Sequence, residues 1–353
     1  MKQTTKTMIR PMLYALLAAV FYAINTPVSK LLLTHVPPTM MAAFLYLGAG
    51  LGVGLMYLPK YGKEAPTERI TRNDIPYTIG MIVLDILAPI FLMLGIKYGS
   101  ASDASLLGNF EIVATSLIAL LFFREKVSGR LWMSIGLITI SSMLLSLDGG
   151  SGLQLSIGSL FVLMATMCWG LENNCTRAIS EKSTYEIVLL KGVFSGGGSF
   201  LIALLRGEEV PHFMYLVSAM LLGFVAYGLS IFLYVRAQRD LGAAKTSAYY
   251  AVAPFIGALL SFAVLKEELT VRYLIAALIM IAGTILTVLD TLVRSHAHKH
   301  THTYHVMRGG VMQTVTIEHS HAHNHYVHGE KHGHHHSIEE LEASVTSHMH
   351  SGR

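Results

Sequence analysis

The sequence predicts an all-α integral membrane protein of ten transmembrane helices, arranged as two inverted five-helix repeats and followed by a disordered His-rich C-terminal tail. Three observations carry that expectation. Apolar residues make up 52% of the chain and charged residues only 14%, against roughly a quarter charged in soluble domains. The apolar residues gather into runs long enough to cross about 30 Å of hydrocarbon, which takes roughly 20 helical residues. The runs also recur: Glu125 and Glu267 each close an apolar run, Asp148 and Asp290 each close the next, and the two pairs have the same sequence separation.

Taken in order, the runs fall at 11–33, 38–58, 75–96, 102–123, 130–147, 155–177, 184–205, 213–235, 242–265 and 271–292. The first is too long for the apolar core of a signal peptide and lacks a small-residue cleavage site, so it reads as an uncleaved anchor. The connections are short except 59–74, and the character changes after Arg294. This divides the chain into a first repeat at 1–150, a second at 151–294 and a tail at 295–353.

Orientation follows from the basic residues. Lys2, Lys6 and Arg10, then Lys60, Lys63, Arg69 and Arg72, then Arg124, Lys126 and Arg130, then Arg177 and Lys182, then Arg236, Arg239 and Lys245, and finally Arg294 and Lys299 fall on one side of the alternation. The other side holds only Lys30, Lys97, Arg206, Lys266 and Arg272. Lys and Arg favour the cytoplasmic face, so both termini are expected in the cytoplasm of a cell (plasma or inner) membrane protein. Five helices per half turns the second half upside down, the inverted repeat that secondary transporters use for alternating access. The halves align without a gap from Ala101 against Ala243 to Asp148 against Asp290, and Tyr22-Ala23-Ile24-Asn25 matches Trp169-Gly170-Leu171-Glu172.

Three stretches carry a family resemblance: Trp169-Gly170-Leu171-Glu172-Asn173, Ala253-Pro254-Phe255-Ile256-Gly257-Ala258, and the acidic run ends Arg124-Glu125 and Lys266-Glu267. Over about residues 10 to 293 the chain resembles the drug/metabolite transporter superfamily, specifically proteins with two EamA-type five-helix repeats. The resemblance implies a ten-helix bundle around a central cavity that moves small metabolites, amino acids or drug-like solutes, often outward and often coupled to protons. One departure is Ile112, which stands where the second repeat has Pro254.

The candidate working residues are polar groups inside the apolar runs, where an ionised side chain costs roughly 2.5–3.5 kcal/mol on insertion scales and is retained for function by default. Glu111, with Asn109 beside it, aligns with Ala253 and so is added to one repeat only; it reads as a proton carrier or a site for a cationic group, or else as an acid neutralised by a structural partner. Lys191 sits midway through its run, too deep to snorkel easily, and is a partner for Glu111, for Asp85 or for a substrate carboxylate. Asp85 lies four residues before Pro89, where a proline frees a carbonyl and bends the helix, and it aligns with Tyr227. Trp169 and Glu172 share a helix face through their spacing of three, next to Asn173, although Glu172 is also placed to pair with Arg177; Asn25 is its repeat counterpart. Of Tyr249 and Tyr250, at most one faces a given cavity, and Tyr249 is the site candidate. The run Gly192, Ser195, Gly196, Gly197, Gly198 and Ser199 suits close helix packing. Cys168 and Cys175 lie about two turns apart on one helix, which rules out a mutual disulfide.

Of the 18 histidines in the chain, all but His35 and His212 lie beyond Arg294. They include His296, His298, His300 and His302, then His319, His321, His323 and His325, then His334, His335 and His336. Alternation sets imidazoles on one side of an extended chain, and neutral imidazole suits zinc, nickel or cobalt. Without metal such a tail cannot build a core. The expected partners are therefore the lipid bilayer, a small-molecule substrate, protons as coupling ion and a divalent metal at the tail, with no nucleic acid. No ATP-binding loop and no nucleophile with its base is present, so no enzymatic chemistry and no required cofactor are expected. The leading expectation is proton-coupled export of a small organic metabolite. The alternative is a divalent-metal transporter in which the tail captures the ion and delivers it to Asp85, Glu111 and Glu172.

Overall fold

The structure, a computed structural model, describes residues 2–60, 69–123, 127–147, 156–179, 182–241, 246, 249–294, 296–308 and 311–323. It divides into two compact units, Met1–Asp290 and Thr291–Arg353. The first unit is helical throughout its regular structure. Its elements are α1 (Lys2–Ala23), α2 (Asn25–Leu32), α3 (Pro38–Tyr57), α4 (Ile75–Tyr98), α5 (Ala101–Leu107), α6 (Phe110–Phe123), α7 (Gly129–Ser146), α8 (Ile157–Ala178), α9 (Thr184–Leu190), α10 (Gly196–Leu205), α11 (Phe213–Gly223), α12 (Ser230–Leu241), α13 (Ala253–Leu265) and α14 (Val271–Arg294). Two π-helical stretches, Lys191–Ser195 and Phe224–Leu229, join α9 to α10 and α11 to α12.

Seven spans among the described residues are long and apolar enough to cross a membrane: Ile9–Leu32, Pro38–Tyr57, Arg72–Tyr98, Gly129–Ser146, Thr184–Leu205, Phe213–Tyr234 and Val271–Asp290. The other three expected runs are helical but depart from a plain span. The run at 102–123 is broken at Gly108 and Asn109 into α5 and α6. The run at 155–177 forms α8, whose buried Ser159, Thr166, Glu172 and Asn174 make it unusually polar for a span. The run at 242–265 contains the 13-residue α13, and residues 242–245, 247 and 248 lie outside the described set.

Local chemistry explains several boundaries. Ser100 caps α5 by accepting from the Asp103 amide at 3.0 Å, and Ser128 caps α7 by accepting from Leu131 at 3.1 Å, which satisfies donors that a helix start leaves orphaned. Glu267 reinforces the start of α5 from another part of the chain, accepting the amides of Ala101 at 2.7 Å and Ser102 at 2.9 Å. At the end of α4, the Lys30 ammonium donates to the carbonyls of Ile96 (2.6 Å) and Gly99 (2.5 Å), where a cation complements the helix dipole. α4 itself runs on through Pro89, although a proline has no N–H to offer the carbonyl of residue 85.

The packing suits a lipid environment. Leu51, Leu55, Ile79, Met143, Leu201, Leu221, Leu259 and Leu278 are all exposed, which makes an apolar outer surface where hydrocarbon would be the solvent. Inside, small residues let helices approach closely. The backbone of Gly192 meets that of Gly50 on α3 with no room for a side chain on either, so the glycine run at 192–198 contains a packing seam between α3 and the first π stretch.

In the second unit, β1 (His296–Arg308) and β2 (Val311–His323) pair as an antiparallel hairpin, with His296 opposite His323 and Arg308 opposite Val311. The physical reason lies in the residues between the histidines. Thr301, Thr303, Tyr304, Val306, Val315, Thr316 and Ile317 favour strands, and an alternation of period two is the pattern of a strand face. His325, His334, His335 and His336 lie outside the described residues.

Candidate functional site

Three ionisable side chains that the sequence scatters across more than a hundred residues meet in the first unit. Asp85 comes from α4, Glu172 from α8, and Lys191 from the first residue of a π-helical turn. The Lys191 ammonium lies 2.6 Å from Glu172 Oε1 and 3.2 Å from Asp85 Oδ2. Asp85 is 1% exposed and Glu172 3%, so these charges are held in a setting where each carboxylate requires its partner. Tyr46 of α3 donates its hydroxyl to Asp85 Oδ1 at 2.9 Å, and the Thr176 hydroxyl donates to Glu172 from one turn further along α8. The partner of Lys191 is thus Asp85 and Glu172 together, and the pairing of Glu172 that the structure records is with Lys191.

Glu111 feels the charges of Glu172 and Lys191 but is hydrogen-bonded to a different residue. It occupies the first turn of α6, immediately after the break at Gly108 and Asn109, where a helix N-terminus favours an acid. Its Oε1 accepts from the Asn173 side-chain amide at 2.6 Å, and Asn173 also reaches Thr115 Oγ1 at 3.3 Å. Its hydrogen-bond partner is therefore a neutral amide. Glu111 also interacts electrostatically with the hydroxyls of Tyr22, Tyr227 and Tyr250. Asn109 is buried and turns its amide to the Leu106 carbonyl at 3.3 Å, which ties down the break and leaves it out of the charged cluster.

Aromatic rings bridge the two groups. Tyr22 and Tyr227 meet edge to face with centroids 5.9 Å apart, Tyr22 and Tyr250 are also 5.9 Å apart, and Tyr46 and Tyr227 are 5.3 Å apart. Trp169 also interacts with the Tyr46 hydroxyl. Asn25 donates to the Tyr227 hydroxyl at 3.2 Å and accepts from Ser29 at 3.1 Å. Asp85, Glu111, Trp169, Glu172, Asn173, Lys191 and Asn25 are therefore neighbours, directly or through one tyrosine.

Tyr249 is the candidate that does not join them. It packs with Met12, Tyr14, Ala15 and Ala237 in a separate small cluster, while its neighbour Tyr250 contacts Tyr22 and approaches the Ser230 hydroxyl at 3.4 Å. Adjacent residues on a helix point about 100° apart, so only one of the pair can reach the group. Tyr22, Tyr46, Tyr227 and Tyr250 are the members that reading by charge alone passes over. The internal repeat held a signal for two of them: Tyr22 aligns with Trp169, and Tyr227 aligns with Asp85.

That alignment also makes the contacts symmetric. Asn25 corresponds to Glu172 and Tyr227 to Asp85, so the Asn25–Tyr227 hydrogen bond and the Glu172–Lys191–Asp85 bridge are repeat-related versions of one cross-repeat contact. One version is neutral and the other ionic. Among the described residues, no group of three His, Cys, Asp or Glu side chains converges as a metal-ligand set, and an ammonium occupies the place between Asp85 and Glu172.

Comparison with known proteins agrees with this architecture. The EamA-like transporter family matches residues 9–147 and again 156–289. An "Uncharacterized transporter" of Methanothermobacter thermautotrophicus is 25% identical over 285 residues, covering 75% of this chain and 82% of that protein. The "Uncharacterized transporter YyaM" of Bacillus subtilis is 20% identical over 278 residues, covering 76% of this chain and 90% of its own length. A solved crystal structure superimposes with a TM-score of 0.58 at 16% identity, over 79% of this chain and 96% of that one, a likeness of fold.

Proposed function

This chain belongs to the EamA-like transporter family in two repeats, a multi-pass membrane transporter, and from that premise we propose that it is a proton-coupled secondary exporter of a small organic solute carrying an amine. Ten transmembrane segments then form two inverted five-helix repeats in the cell membrane, with both termini in the cytoplasm, as the placement of Lys and Arg supports.

The observation that carries the reading is the charge balance at the site. Asp85 and Glu172 share the one ammonium of Lys191, while Glu111 is bonded to the neutral amide of Asn173. A buried carboxylate bonded to a neutral amide rather than to a cation favours either a proton or a cationic group. The tyrosine faces around it suit the same guest, since a cation over an aromatic ring gains about 0.5–2 kcal/mol. A proton and a substrate ammonium would compete for Glu111. Exchange follows: a proton arriving from outside displaces the amine, and the amine arriving from inside displaces the proton. The Lys191 bridge joins α4, α8 and the π turn, and its carboxylates are the remaining acceptors for polar groups of the solute. The EamA membership and the two relatives named as transporters support transport rather than catalysis.

The test is flux in proteoliposomes, comparing primary amines, zwitterionic amino acids and plain carboxylates with zinc, nickel and cobalt under an imposed pH gradient. The reading expects an amine-bearing solute to move faster when the gradient is applied. Flux of a metal ion with no organic solute moving would overturn it in favour of metal transport.

A further inference from the structure

The half-helix α5 has only seven residues and is set off from α6 by the break at Gly108 and Asn109. At the break the amides of Asn109, Glu111 and Ile112 bond three residues back rather than four, the tighter turn that within a helical run often marks a hinge. The amides of Ala101 and Ser102 at the start of α5 are both taken by the Glu267 carboxylate, at 2.7 and 2.9 Å. Glu267 follows Lys266, which ends α13 in the left-handed region (φ 53°), a conformation uncommon outside glycine. One turn deeper, the hydroxyls of Ser105 on α5 and Thr26 on α2 are hydrogen-bonded at 2.6 Å. Gly257 of α13 packs against both, with no room for a side chain. Elements of both repeats therefore hold α5: α2 from the first and α13 from the second.

We propose that α5 is the outer gate of the transporter, a short arm that swings about Gly108 and Asn109 and is latched shut by Glu267. On the orientation given above, Lys30, Lys97, Lys266 and Arg272 mark this end of the helices as the outer one. The seal adjoins the charged site on both sides. Thr26 follows Asn25, which bonds the Tyr227 hydroxyl, and Glu111 lies in the first turn of α6, just past the hinge. An exchange of proton for ammonium at Glu111 thus takes place beside the joint that moves the arm.

An ordinary helix cap gives no reason for this arrangement. Caps come from the adjoining residues, as Ser100 supplies for the Asp103 amide and Ser128 for Leu131. Glu267 reaches α5 from 165 residues away and from the other repeat, so its contact must change whenever the repeats move past one another. The contact is also one that can be undone. Glu267 is only part-buried, and at the membrane surface water can take over both the carboxylate and the two amides it releases. Lys30 meanwhile holds the end of α4 through the carbonyls of Ile96 and Gly99, which leaves α5 as the part free to swing. The inference rests on the transport reading, but not on the identity of the solute.

The experiment uses the full-length chain in intact expressing cells, with C168S and C175S to remove the native thiols and S105C as the reporter. A small membrane-impermeant methanethiosulfonate is added outside, and the rate of labelling is followed. Removing the latch with E267A should raise that rate about tenfold, the scale of one lost charge-assisted contact. E267Q, which keeps one carbonyl acceptor, should raise it less and serves in place of E267A if that variant fails to reach the membrane. E268A, at the exposed neighbour, should leave it unchanged. A latch variant that labels no faster than its parent would overturn the proposal. So would an equal rise in E268A, because the seal would then loosen without regard to Glu267. Labelling needs no solute, so a failure to find a transported amine would leave this result standing.

Discussion

The Lys191 ammonium, 2.6 Å from Glu172 and 3.2 Å from Asp85, is the residue on which the buried charges depend. Replacing it with methionine leaves two carboxylates uncompensated, and breaking a buried pair in this way costs about 3–5 kcal/mol. Lys191→Met should therefore unfold at a clearly lower temperature in detergent, and adding Asp85→Asn should recover part of the loss; a melting temperature equal to that of the wild type would remove the bridge from the account. The tyrosines give a second contrast at this scale. Tyr250→Phe should raise the substrate concentration needed for half-maximal flux, because Tyr250 lies with Tyr22 at the site, whereas Tyr249→Phe should leave it unchanged, because Tyr249 packs with Met12 and Tyr14. The charges at Asp85, Glu111, Glu172 and Lys191 were legible in the sequence because hydrocarbon makes any charge conspicuous. The tyrosines were not, since an aromatic residue in an apolar run is unremarkable until its hydroxyl finds a partner, as Tyr46 does with Asp85. The choice between Tyr249 and Tyr250 needed the helix phase, which two adjacent identical residues do not reveal.

At the scale of elements, the positions of the helices followed from apolar length, but their interruptions did not. Pro89 was the obvious candidate for a break, yet α4 continues through it, whereas the break in the fourth run falls at Gly108 and Asn109. The two π-helical stretches carry Lys191 and Tyr227, and a π turn is a single widened turn frequently found at functional sites without a compositional signature. Gly192, at the start of the first stretch, has its backbone against Gly50 of α3. Gly192→Leu should wedge the two apart at a cost of about 1–3 kcal/mol for overpacking and lower the unfolding temperature, whereas Gly197→Ala, where open space surrounds the position, should be tolerated. A Gly192→Leu protein as stable as the wild type would show that this seam does not hold α3 in place.

For the whole molecule, the duplication was visible in the shared spacing of acidic run ends, and it accounts for a scaffold with a neutral Asn25–Tyr227 contact and an ionic counterpart at Glu172, Lys191 and Asp85. In the tail, Thr, Val and Tyr residues stand among the histidines of the paired strands. Removing residues 296–353 should leave organic-solute flux intact; loss of solute flux in that deletion would tie the tail to transport itself. What the duplication does not account for is Glu111, present in one repeat and replaced by Ala253 in the other. The central claim is that this asymmetric acid couples the proton to the solute, and the most direct measurement is pH-gradient-driven flux of the transported amine in proteoliposomes containing the wild type or Glu111→Gln. The account predicts that the gradient accelerates flux through the wild type and has no effect on a Glu111→Gln protein of unchanged thermal stability. Full gradient-driven flux through Glu111→Gln would contradict it.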